Sequence, residues 1–165
     1  MASKHDFHKI IIGRSEVLTF VDANAVDIPA KTDTGAFRSA VHATDIVVDE
    51  NGVLSFTLLG GHAVCGSMAT RVVAESFTKV WVANSSGYRE ERYEVKLKVK
   101  LGSKVFHARF TLADRSKKIY PILLGRKLLN YRFVVDPSET SLDRVLLKKR
   151  YGIEFPNDEE EGRTA

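Results

Sequence analysis

A chain of 165 residues, 44% hydrophobic and 28% charged, is long enough for one real core, and its composition is ordinary for a single globular domain. The single cysteine, Cys65, excludes an intrachain disulfide and a cysteine-based zinc site and reads as a buried thiol. A net charge of +4 is too mild and too dispersed for a nucleic-acid-binding arm, and no segment has the apolar length of a membrane span or signal peptide. The expected location is therefore the cytoplasm, with no membrane and no nucleic acid among the partners.

The elements predicted in chain order are mostly strands. Residues 1–8 read as a flexible N-terminus. Lys9–Arg14 and Val17–Val21 are β-branched runs, the first ended by Gly13, and Val26–Lys31 is a third strand. Asp45–Val48 and Val53–Leu58 flank Asp49-Glu50-Asn51-Gly52, a strong hairpin signal. Thr70–Ala83, Arg92–Leu101 and Lys104–Leu112 follow, the last two joined at Gly102-Ser103. So many short strands predict an all-β, closed or nearly closed barrel over residues 9–137. Lys96-Leu97-Lys98-Val99-Lys100 alternates charge with apolar residues and reads as the solvated face of a strand. Beyond Pro137, residues 138–152 are predicted as a helical extension capped by Asp136 or Ser138, with Leu142, Val145 and Leu146 on one face. Residues 153–165, with Asp158-Glu159-Glu160-Glu161, read as an acidic disordered tail.

Two stretches carry the chemistry. In Lys31-Thr32-Asp33-Thr34-Gly35-Ala36 a carboxylate sits in a tight turn, with a glycine that lets the backbone pass close to it and threonines that bond locally. Ile122-Leu123-Leu124-Gly125-Arg126, followed by a helical turn at Lys127-Leu128-Leu129, is its companion: retroviral-type aspartic proteases run an apolar pair and Gly-Arg behind the catalytic turn. With Ser39-Ala40-Val41-His42-Ala43, the loop Asn84-Ser85-Ser86-Gly87 near Glu91-Arg92-Tyr93, and Thr111-Leu112-Ala113-Asp114-Arg115-Ser116, these motifs resemble one bacterial family. It comprises the retropepsin-like aspartic proteases associated with the RimK-type ATP-grasp glutamate ligase, often labelled "ATP-dependent zinc protease". The likeness spans roughly Lys9 to Pro137. It departs at Arg38, where the family usually has Thr.

What the resemblance implies is a retropepsin-like barrel with a short helix after Ile122–Arg126 and a catalytic turn of Asp33, Thr34 and Gly35. Amide hydrolysis by carboxylates needs two of them sharing a proton. One Asp-Thr-Gly per chain therefore implies a homodimer that joins two copies of Asp33. Asp114, from the same chain, is the alternative second acid, although beside Arg115 it reads equally as a turn or ion-pair residue. The loop Asn84–Glu91 stands where a retropepsin carries its flap, the other reading being an ordinary surface hairpin. The expected substrate is an acidic or glutamate-extended peptide or protein tail. Arg38, Arg89 and Arg92 suit its carboxylates, and His42, Ser85, Ser86 and Gly87 lie near the proposed cleft. No His-Glu-x-x-His helix, ligand-spaced histidine pair or Gly-Lys-Ser/Thr loop is present, so neither zinc nor ATP nor any other cofactor is expected. The rival class is a non-catalytic module that uses the same cleft to hold an acidic peptide.

Overall fold

The computed structural model describes residues 8–83 and 86–152. Its first five strands are β1 (Ile10–Ile12), β2 (Ser15–Phe20), β3 (Ala25–Thr32), β4 (Ser39–Val48) and β5 (Leu54–Leu58). A single 3₁₀ turn, Gly66–Met68, precedes β6 (Thr70–Ala74), β7 (Thr78–Ala83), β8 (Arg89–Leu101) and β9 (Lys104–Ala113). Then come β10 (Ile122–Leu124), α1 (Arg126–Leu129), β11 (Phe133–Val135) and α2 (Arg144–Tyr151). No helix among the described residues is long and apolar enough to cross a membrane.

Six strands form a ring in the order β10, β3, β2, β8, β9, β4, and β4 pairs back onto β10 to close it. Closure leaves those strands no free edge along the pairing, which is why a barrel rather than an open sheet results. Alternation along each strand fills the interior. Leu54, Phe56 and Leu58 of β5 are fully buried between half-exposed Ser55 and Thr57, and in β9 Ala108, Phe110 and Leu112 point inward while His107 and Arg109 point out. Phe20 and Phe110 meet edge to face at 5.5 Å in the centre. Ser39 to Ala43 are buried without alternation, in the part of β4 that is paired on both edges, with β9 and β10.

Three additions stand outside the ring. The far half of β4 continues into a sheet with β5 and β6, its hairpin fixed by the Asp49 carboxylate, which accepts the Asn51 and Val53 N–H groups (2.8 and 2.9 Å). β7 pairs with the first half of β8 as a projecting hairpin. β1 and β11 form a small parallel sheet. β11 went unread in the sequence because three residues between turns carry no periodicity, and the expected strand Thr70–Ala83 is two strands broken at Glu75-Ser76-Phe77.

The C-terminal extension corrects the sequence reading in two ways. Its helix starts at Arg144, not near Ser138, and its cap is Asp143, whose carboxylate accepts the Leu146 N–H (2.8 Å). The Asp136 carboxylate instead accepts the Ser138 N–H and hydroxyl in a separate turn. Residues between are stitched to β2: the Ser141 and Leu142 N–H groups donate to the Ser15 carbonyl and hydroxyl, and the Arg14 N–H donates to the Glu139 carbonyl. Tertiary packing also selects a different face. Leu147 is 1% exposed against Val64, Ile119 and Tyr120, whereas Val145 is 73% and Leu146 53% exposed. Residues 1–7 and the tail from 153 lie outside the described residues. Replacing Leu147 with Ala is expected to lower stability by roughly 2–4 kcal/mol, and Val145→Ala to change it by less than about 0.5 kcal/mol. Urea unfolding of the two variants checks this, and the opposite ranking would restore the face read from sequence.

Candidate active site

β3 and β4 are consecutive in the chain but do not pair with each other at the turn between them. β10 threads between them instead, parallel to β3 (Leu124 beside Thr32) and antiparallel to β4 (Ile122 beside Val41). The connection Asp33–Arg38 must then arch over the end of β10. Its floor is Gly125, where a Cβ would stand 2.5 Å from the carbonyl carbon and oxygen of Arg38, a backbone clash no rotamer relieves. Glycine is therefore obligatory beneath the turn.

The arch is fastened by backbone bonds at every step. The Asp33 N–H donates to the Leu124 carbonyl (2.9 Å), the Arg126 N–H to Ala36 (2.8 Å) and the Lys127 N–H to Phe37 (3.0 Å). The buried Ser39 hydroxyl accepts the Gly125 N–H (3.0 Å), the Arg126 guanidinium donates to the Thr34 carbonyl (3.0 Å), and the Thr32 hydroxyl donates to Gly13 (2.8 Å). Within this frame the Asp33 carboxylate is half-buried, and one of its oxygens accepts the Gly35 N–H (3.0 Å). A Cβ on Gly35 would lie 3.3 Å from that same oxygen, tight but far less prohibitive than at Gly125. Thr34 and Gly35 are exposed beside Phe37, itself 51% exposed.

Two further cations belong to the surroundings of Asp33, and neither was singled out from sequence. Lys31, half-buried at the end of β3, has its pKa lowered by burial, with the Asp33 carboxylate opposing and Arg115 reinforcing the shift. Burial lowers Arg115 to about 10; the charge of Arg92 acts in the same direction and Asp33 against it. Arg115 is thus within electrostatic reach of both the Asp33 carboxylate and Arg92 of β8. The motif Asp114-Arg115-Ser116 was visible, but nothing local distinguished Arg115 from a partner of Asp114.

Arg115 is held there by two buried imidazoles. The Arg115 N–H donates to His42 Nδ1 (2.9 Å), so His42 carries its proton on Nε2 and donates to the Gly60 carbonyl (2.8 Å). His62 Nδ1 accepts the Val64 N–H (3.1 Å), and its Nε2–H reaches the carbonyls of Lys118 (2.9 Å) and Arg115 (3.1 Å). The rings meet edge to face at 5.2 Å. The Arg115 Nε–H then donates to the Tyr120 carbonyl (2.9 Å), which fixes the guanidinium's direction. His42, expected near the cleft, is 1% exposed with both nitrogens committed to the protein. The same commitment leaves His42 and His62 no lone pair for zinc, and no cluster of three or more possible ligands exists among the described residues.

The remaining candidates are dispersed. Arg38 is bridged to the buried carboxylate of Glu94 (2.6 Å), which Lys127 also approaches (3.6 Å). Asp114 is an ionised turn acceptor: the Ser116 hydroxyl and N–H hold its carboxyl below the usual range, and its side chain is 80% exposed. A proton-donating second acid requires the opposite environment. Ser86, Gly87 and Arg89 occupy the β7–β8 connection and the start of β8, with Gly87 at φ 85°, while Ser85 falls outside the described residues. Arg92 donates to Glu90 on the same strand. The hairpin exposes Trp81 (59%) and Tyr88 (77%).

Comparison with known proteins agrees with this fold. A family model described as RimB-like, retropepsin-like aspartic endopeptidase RimB, matches residues 11–144. The chain is 30% identical to a probable alpha-L-glutamate ligase of Desulfotalea psychrophila, over 93% of this chain and 34% of that protein. It is 32% identical to a protein of the same description from Parasynechococcus marenigrum, over 78% of this chain and 28% of that one. It thus spans about a third of the length of these curated relatives. A crystal structure of a Legionella pneumophila protein of unknown function superposes with a TM-score of 0.64 at 31% identity, covering 81% of this chain and 97% of the other.

Burial keeps His62 neutral and lowers its pKa from 6.5 to about 4, with His42 adding to the effect. On unfolding the ring regains its ordinary affinity, so the unfolded chain binds more protons between those two values. The stability contributed by this neutral ring is complete above the unfolded value and is lost as pH falls through that window, by roughly 3 kcal/mol. Urea unfolding at about pH 7 and about pH 4.5 should show the loss, and His62→Gln should flatten this part of the profile. An equally steep profile in the variant would assign the acid sensitivity to other groups.

Proposed function

The chain belongs to the RimB-like family of retropepsin-like aspartic endopeptidases, and from that premise we propose that it is a cytoplasmic peptidase that cleaves acidic or glutamate-extended peptides or protein tails. The observation that carries the reading is the Asp33 turn, locked over Gly125 and presenting a carboxylate with one oxygen on the Gly35 N–H. A rigid carboxylate at an exposed turn is what water activation needs, and a second one must face it. The chain offers one such turn, so the working site is formed by Asp33 of two copies, with the exposed Thr34, Gly35 and Phe37 surface around the two-fold axis.

In that site the two carboxylates share one proton, because like charges in contact cannot both ionise. The ionised member takes a proton from water as its oxygen bonds to the scissile carbonyl carbon. The protonated member gives its proton to the carbonyl oxygen. Collapse of the tetrahedral intermediate breaks the C–N bond: the leaving nitrogen takes up the proton held by the pair, and a hydroxyl of the diol returns a proton to the other carboxylate as the carbonyl re-forms, so the pair again holds one proton. Lys31 and Arg115 supply positive charge around Asp33 and support an anionic substrate, as do relatives described as glutamate ligases. A cytoplasmic setting is supported by the single free thiol, buried and pushed up to about 12.

Asp33→Asn should fold and dimerise yet lose hydrolysis of glutamate-extended peptides, since an amide cannot act as the base. Arg115→Gln should raise KM for such peptides about tenfold or more, because a partly desolvated charge-assisted bond contributes roughly 1.5–3 kcal/mol. Sedimentation alongside the assay should show activity following the dimer. A wild type that binds these peptides without cleaving them would make the domain a binding module instead, and full activity in Asp33→Asn would remove the aspartic mechanism.

A further inference from the structure

The Lys96-Leu97-Lys98-Val99-Lys100 run does more than keep a strand face in water. Lys96 lies directly opposite Arg109 across the β8–β9 pair, and Lys98 opposite His107. Like charges in direct cross-strand register destabilise a sheet, so a hairpin selected for stability alone would place an acid opposite Lys96 or Arg109. Here two more cations converge from another part of the fold. Lys127 of α1 and Arg132 just beyond it complete a concavity of about 170 Å³ with Lys96, His107 and Arg109, and no carboxylate lines it.

The side chains of Lys96, His107 and Arg109 take part in no hydrogen bond or ion pair with other described residues. Arg132 is held in place by the Leu128 carbonyl (3.2 Å) and by stacking on Phe106 at 4.5 Å. Its guanidinium is thus pre-positioned without being neutralised. Lys127 approaches buried Glu94, which also bridges Arg38 at the end of the Asp33 turn, so the basic concavity is continuous through one carboxylate with the catalytic arch.

We propose that this concavity is an exosite for carboxylates of an acidic peptide whose reacting bond lies at Asp33. The proposal rests on the peptidase reading above and deepens it, by giving the enzyme a means of measuring the length of an acidic tail. In an extended peptide alternate side chains project to one side about 7 Å apart, a spacing compatible with a row of cations on neighbouring strands. Carboxylates are favoured over phosphates because the site is contiguous with a peptide-cleaving turn. Nucleic acid is the competing occupant.

The test uses the full chain in an Asp33→Asn background, with fluorescent peptides of three and eight glutamates, and the double variant K96Q/R109Q. Without the double substitution, the longer peptide is expected to bind at least tenfold more tightly than the shorter. K96Q/R109Q should remove that advantage, leave the short peptide's affinity unchanged, and keep a melting temperature equal to or above that of the parent. With Asp33 restored, KM for the longer peptide should rise while kcat holds. A length advantage that survives K96Q/R109Q overturns the exosite. An oligonucleotide of equal charge that binds as tightly as the longer peptide, and loses affinity in the same variant, overturns its assignment to carboxylates. If no peptide is cleaved by any form, the peptidase reading fails, while the binding comparison still decides the exosite.

Discussion

The passage of β10 between β3 and β4 is the constraint on which the rest depends. It forces the connection between two neighbouring strands of sequence to cross over a third, and the crossing leaves room only for backbone at Gly125. Everything chemically interesting follows from that shortage of space. Asp33 is fixed by its bond to Leu124, Thr34 by Arg126, and Ala36 and Phe37 by the first N–H groups of the α1 turn. The backbone that carries this carboxylate has little freedom left to lose, which is the physical meaning of pre-organisation.

Charge is arranged around that arch in three distinct ways. Glu94, buried, neutralises Arg38 and draws in Lys127, which stabilises the back of the turn at the cost of removing Arg38 from the population of free cations. Arg115 is carried into the neighbourhood of Asp33 by neutral histidines that act as paired donors and acceptors for backbone, not as charges. Lys96 and Arg109, opposite each other on the outward face of β8 and β9, stay unneutralised by other described residues. Burial separates these behaviours: a desolvated guanidinium or carboxylate must be matched inside the protein, whereas a solvated one is left to a ligand.

The C-terminal extension changes what this domain presents beside its site. Residues 139–142 bond to β2, and Leu147 closes a second small core with Val64, Ile119 and Tyr120, the segment that follows Arg115. The Tyr120 hydroxyl donates to the Leu142 carbonyl and the Tyr120 carbonyl accepts from Arg115. The extension is thereby connected to the site through one residue, and packing there bears on where Arg115 points.

Much of the fold was legible in the sequence because its information is local. Alternation in Leu54–Leu58 and Lys104–Ala113, the Asp49–Gly52 hairpin, and the pairing of Asp33-Thr34-Gly35 with the apolar run before Gly125 all follow from residue type and spacing. What tertiary structure alone decided is non-local. It chose Leu147 over Val145 as the buried face of α2, since a short amphipathic pattern does not say what it will pack against. It turned His42 inward and Arg38 onto Glu94, since partners 18 and 56 residues away leave no mark in a motif. It brought Lys31 and Arg115 to Asp33, and Lys127 and Arg132 to Lys96 and Arg109, because closing a barrel sets side by side charges that the chain keeps far apart.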